Sequence, residues 1–150
     1  MLDQQNAQLS YHRTLTENPQ DRSPQGWNAH DPSQLAINDT VYYRSAGKSA
    51  RYAAHAAIGR TFEEQHGPME LSVAMRTEVP DSFMLYIDDG SGDYRGANIY
   101  SMLNGNLEYY DGDYHNICPF SVNTWYQIKM EIDVPGNTYD IETSISKRSV

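Results

Sequence analysis

Taken at every second position, residues 126–134 give Tyr126, Ile128, Met130, Ile132 and Val134, while Trp125, Gln127, Lys129, Glu131 and Asp133 interleave with them. Alternation with a period of two marks a strand with one apolar and one polar face. Pro135, Gly136 and Asn137 follow as turn formers, and Gly136 or Asn137 can take a positive φ. Tyr139, Ile141 and Ile145 then alternate with Asp140, Glu142 and Ser144, so the pattern predicts a long antiparallel hairpin. A second long strand is predicted over 69–79, with Met69, Leu71, Val73 and Met75 on one face and Glu70, Ser72, Ala74 and Arg76 on the other.

Pro80 and Asp81 turn that strand into another over 82–88, where Phe83, Leu85 and Ile87 alternate with Met84 and Tyr86. Further strands are expected over 97–103 and 107–110, joined by the hairpin turn Asn104-Gly105-Asn106. The stretches DDGSGDYRG and DGDYHNICPF read as loops. Upstream, strand signals fall at 33–37, 40–44, 51–56 and 59–64. Residues 1–34 are polar and turn-rich, with a short helix suggested over 3–15 and Trp27 expected to anchor the entry loop on the core. Short strands at even spacing, separated by turn signals, predict an all-β chain folded as an antiparallel β-sandwich or jelly roll. The division that follows is a polar tail over 1–26 and a sandwich domain over 27–150.

Composition sharpens this in three respects. The chain has 150 residues, the length of a single domain, and its 12 Tyr outnumber 2 Trp and 3 Phe. Tyrosine favours strands and joins an apolar ring to a hydroxyl, which suits an amphipathic β surface. The net charge of −9 argues against nucleic acid and anionic membranes. No apolar run is long enough to span a membrane, and Cys118, the only cysteine, reads as a buried and inert thiol between apolar neighbours.

The order of features resembles the concanavalin A-like lectin/glucanase jelly roll, in its laminin G-like branch. The stretches that carry the resemblance are PQGW, RYAAHAAIGRTFEEQHGPMELSVAMRTE, FMLYIDDGSGDYRGANIYSMLNGNLEYYDG and, most specifically, NTWYQIKMEIDVPGNTYDI. They span about residues 27–145. The resemblance implies a non-catalytic carbohydrate-binding or accessory module of an extracellular or cell-surface bacterial protein. The alternatives it carries are a polysaccharide lyase or glycoside hydrolase on the same fold, and a structural module that completes its sheet with a partner. Members of that group continue past this hairpin, whereas here the chain stops at SISKRSV. That reads as a fragment lacking its last strands, with neighbouring domains or self-association to cover the edge; otherwise the N-terminal segment supplies it.

Four groups of residues are candidates for chemistry. Tyr109, Tyr110, Asp111, Asp113, Tyr114, His115 and Asn116 combine rings that stack on sugar faces with groups that bind hydroxyls, and Arg95 joins them as a ligand-binding candidate. Asp88, Asp89 and Asp93 lie among glycines, an arrangement that lets oxygen ligands converge on calcium. Tyr114, His115 and Arg95 formally resemble a lyase set, without the arginine-rich and Gln-x-His strands of those enzymes. Glu131, Asp133 and Glu142 resemble the E-x-D-x-E strand of glucanases, but Pro135 holds the third position and Lys129 adjoins, so a solvated strand face is the better reading. No catalytic residue is assigned. His30, His55 and His66 have no zinc-binding spacing, and the sequon Asn38-Asp39-Thr40 is given no function.

Overall fold

The computed structural model describes residues 7–10, 27–38, 49–52, 57–88 and 95–146. Among them the regular structure is strand, apart from a 3-10 turn at Pro32–Gln34 that Asp31 caps by accepting from the Ser33 amide at 3.0 Å. The strands in chain order are β1 (Ala7–Ser10), β2 (Asn28–Ala29), β3 (Leu35–Asn38), β4 (Ser49–Tyr52), β5 (Ile58–Gly59) and β6 (Pro68–Thr77). They continue with β7 (Met84–Asp88), β8 (Arg95–Ser101), β9 (Asn106–Tyr110), β10 (Tyr114–Pro119), β11 (Trp125–Asp133) and β12 (Thr138–Ser146).

All pairings are antiparallel and build a six-stranded sheet in the order β12-β11-β6-β1-β4-β3, a four-stranded sheet in the order β10-β9-β8-β7, and the small pair β2-β5. One hydrophobic core takes Val73 and Met75 from β6, Tyr126, Ile128 and Met130 from β11, and Ala97, Ile99 and Leu107 from the four-stranded sheet. The inward faces of the two large sheets therefore share one core, a sandwich-like arrangement, and Trp27 packs against it as the sequence predicts. Tyr126 is fully buried with its hydroxyl satisfied, accepting from the Ser121 amide at 2.9 Å. Cys118 is half-buried, and its Sγ lies 3.5 Å from the Thr143 hydroxyl.

The strands with unbroken alternation form where the pattern predicts, and so do their turns. Asn137 takes the positive φ of the β11–β12 turn, at 52°, and Gly105 that of the β8–β9 turn, at 82°.

Three segments differ from expectation. Residues 7–10 form a strand between β6 and β4 rather than part of a helix; AQLS alone is too short to declare itself, and its ladder partners are distant in sequence. The strand expected over 59–64 shrinks to β5, because residues 60–66 are exposed and have no ladder partner in either large sheet. The stretch read as one long loop, DGDYHNICPF, holds β10, and only Asp111, Gly112 and Asp113 turn. The expected strand over 40–44 lies outside the described residues.

Gly112 closes that turn at φ 117°, with the Asp111 amide donating to the Asp113 carbonyl at 3.2 Å. A Cβ built there meets nothing within 4 Å, so a side chain costs backbone strain alone. Gly112→Ala is expected to destabilise the fold by about 1–2 kcal/mol, read from urea unfolding.

The outward face of the six-stranded sheet has a small buried apolar cluster of Ala74 and Trp125 and is polar further along β11. Glu70, Glu131 and Asp140 are opposite one another across β6, β11 and β12, and Lys129 bridges Glu131 and Glu70. Hydrogen bonding to Glu131, then to Glu70, holds the Lys129 ammonium above its ordinary pKa. A raised lysine pKa contributes stability that is complete below the unfolded value and is lost as pH rises through the folded one. Lys129→Met should therefore lower Tm at neutral pH. The deficit should shrink at strongly alkaline pH, as the ammonium loses its proton.

Candidate functional site

The four-stranded sheet is a meander, so β7 ends and β8 begins at the same end of it as the β9–β10 turn. Asp88 and the turn Asp111, Gly112 and Asp113 thus come to one end of the four-stranded sheet. Asp88 and Arg95 pair across β7 and β8, and Tyr110 and Tyr114 across β9 and β10. Asp89 and Asp93 lie outside the described residues, as does the Arg95 side chain.

Because β10 is a strand, alternation divides the cluster over 109–116 between two faces. Tyr109 and His115 are opposite each other and point towards the six-stranded sheet. Their rings stack at 4.8 Å and 19°, and Tyr139 of β12 meets Tyr109 edge-on at 6.2 Å. Asp111 lies 2.7 Å from His115 Nε2. The Tyr139 hydroxyl is buried without a hydrogen-bond partner; burial first, then the Asp111 and Tyr109 charges, pushes its pKa above the ordinary phenol value. Its ionisation, followed by ultraviolet absorbance, should come later than that of exposed tyrosines, and stability should fall as pH rises into that range.

Tyr110, Tyr114 and Asn116 point the other way, to the outward face of the four-stranded sheet, where the register gathers further residues. Tyr86 is opposite Asn98, Met84 opposite Tyr100, Tyr100 opposite Glu108, and Glu108 opposite Asn116. The rings make one group: Tyr114 meets Tyr100 edge-on at 5.7 Å and Tyr110 at 5.0 Å with a 57° tilt. Tyr114 is 53% and Tyr110 40% exposed, and Tyr86 and Met84 are exposed beside them. On the same face two polar side chains are buried, Glu108 at 7% exposure and Asn98 at 5%. Glu108 Oε1 accepts from Asn104 Nδ2 at 2.7 Å.

Tyr86, Tyr100, Asn98 and Glu108 were not singled out in the sequence. The signal was available: each alternates with a core residue, Leu85, Ile99, Ala97 or Leu107, and so shares the face of Tyr110. The same alternation places Tyr114 and His115, neighbours in the lyase-like set, on opposite faces of β10.

No group of three or more His, Cys, Asp or Glu suited to a metal ion occurs among the described residues. No helix among them is long and apolar enough to cross a membrane. Comparison of the chain with protein-family models, curated proteins and solved structures gave no match.

Proposed function

We propose that this chain is a concanavalin A-like sandwich serving as a non-catalytic carbohydrate-binding module of an extracellular bacterial protein, and that the outward face of its four-stranded sheet receives the sugar. The observation that carries this reading is the group Tyr86, Tyr100, Tyr110 and Tyr114 on one sheet face, with Glu108, Asn98 and Asn116 among the rings. Sugars present C–H faces and hydroxyls together, and partly exposed tyrosines over amide and carboxylate groups answer both. Exposed aromatic patches on a β surface also mark binding sites in general. Calcium held by Asp88, Asp89 and Asp93 belongs to the same proposal, since β7 closes with Asp88 at the end of the sheet where Tyr110 and Tyr114 lie.

The test is a thermal-shift screen against neutral, amino and uronic oligosaccharides, each with calcium and with chelator. A ligand that binds only the folded chain adds about 2.7 kcal/mol at 100 times its Kd. A shift with at least one glycan, without release of products, supports the module. A chelator-sensitive shift supports the calcium site. No shift with any glycan removes the sugar-binding reading and leaves the tyrosine face to a protein partner.

A further inference from the structure

We propose that the tyrosine face selects an amine-bearing glycan, a glucosamine-type oligomer, with Glu108 as counter-charge to a sugar ammonium; this rests on the reading that the face binds sugar. Glu108 has Tyr100 opposite it on one side and Asn116 on the other, and Tyr110 two positions along β9. It is 7% exposed, and its polar contact is the Asn104 amide at 2.7 Å. No Lys, Arg or His among the described residues forms an ion pair with it. Keeping a carboxylate out of water without a cation is costly, and a ligand that supplies the cation recovers that cost on binding.

A second buried polar group on this face lacks a donor. Asn98 donates from Nδ2 to the Gly96 carbonyl at 3.2 Å, while its Oδ1 is buried and has no donor. Asn98 Oδ1 is thus an acceptor without a donor, and Glu108 an acid without an ion-pair partner among the described residues. An ammonium is all donor and no acceptor, whereas a uronate brings an acceptor and a like charge. The exposed tyrosine rings add cation–π attraction, and the net charge of −9 acts in the same direction at longer range. Charge and hydrogen-bond complementarity thus favour the amino sugar over its N-acetylated and uronic counterparts.

The experiment is calorimetric titration of the full chain with glucosamine oligomers, N-acetylglucosamine oligomers of equal length and oligogalacturonate, at a pH that keeps the amine protonated. The expected result is binding of the glucosamine oligomer about tenfold or more tighter than its acetylated form, with oligogalacturonate weakest. Glu108→Gln keeps the size of the side chain and an oxygen for Asn104 to donate to. It should abolish the preference for the amine, with the loss of affinity falling chiefly on the glucosamine oligomer. Equal affinity for the two oligomers, or a preference that survives Glu108→Gln, overturns the role of Glu108 and leaves the sugar site standing. Binding of none of the oligomers overturns both. Should Glu108→Gln fold poorly, the ranking of the three oligomers by the parent chain decides alone.

Discussion

Ile128→Ala is expected to destabilise the chain by about 3–4 kcal/mol, the range for emptying a fully buried aliphatic site on a central strand. Ile128 is 0% exposed and lies in register between Val73 of β6 and Thr143 of β12. It belongs to the core that the two large sheets share, together with Ile99 and Leu107 from the opposite sheet. Neither neighbouring strand is free to collapse into the space, since both are held in long ladders with β11. The control is Gln127→Ala. Gln127 lies on the outward face, where its amide donates to the Ser72 hydroxyl at 3.1 Å, and its loss should cost only about 0.5–1 kcal/mol. Urea unfolding of both variants measures the contrast. Equal, small effects would mean that β11 does not face a core shared by two sheets.

The second large effect is on binding. Replacing Tyr110 and Tyr114 together by alanine should abolish measurable glycan affinity, because truncating an aromatic anchor commonly costs about 2 kcal/mol or more, or roughly thirtyfold per ring. Both rings are exposed and neither belongs to the core, so Tm should change little. Tyr109→Ala is the informative counterpart. Its ring stacks on His115 and meets Tyr139 on the inward side, so its loss should lower Tm and leave affinity nearly intact. The two variants lie next to each other in sequence and are expected to give opposite phenotypes. Strand alternation is the whole reason.

That contrast also separates what could be read from the sequence from what could not. The strands β6, β7, β8, β9, β11 and β12 were legible because an apolar residue recurs at every second position, and the turns at Gly105 and Asn137 because few other residues tolerate a positive φ. β10 was not. Its ladder shifts between Asn116 and Cys118, so the period of two breaks midway, and its outward face is polar. Once β10 is taken for a loop, residues 109–116 look like one cluster; as a strand they belong to two faces. β1 was hidden for a different reason. Its place between β4 and β6 depends on pairings far along the chain, which no local pattern encodes. The tyrosine face likewise needs sheet order. Tyr86, Tyr100 and Tyr110 each show a local alternation, but only the meander sets β7, β8 and β9 side by side.

The most direct test is nuclear magnetic resonance of the chain with isotopically labelled tyrosines, titrated with the glycan that gives the largest thermal shift. Binding on the outward face of the four-stranded sheet predicts that the signals of Tyr86, Tyr100, Tyr110 and Tyr114 move together, while those of Tyr109, Tyr126 and Tyr139 stay in place. Movement confined to Tyr109 and Tyr139, or none among the four outward tyrosines at saturating glycan, would contradict it.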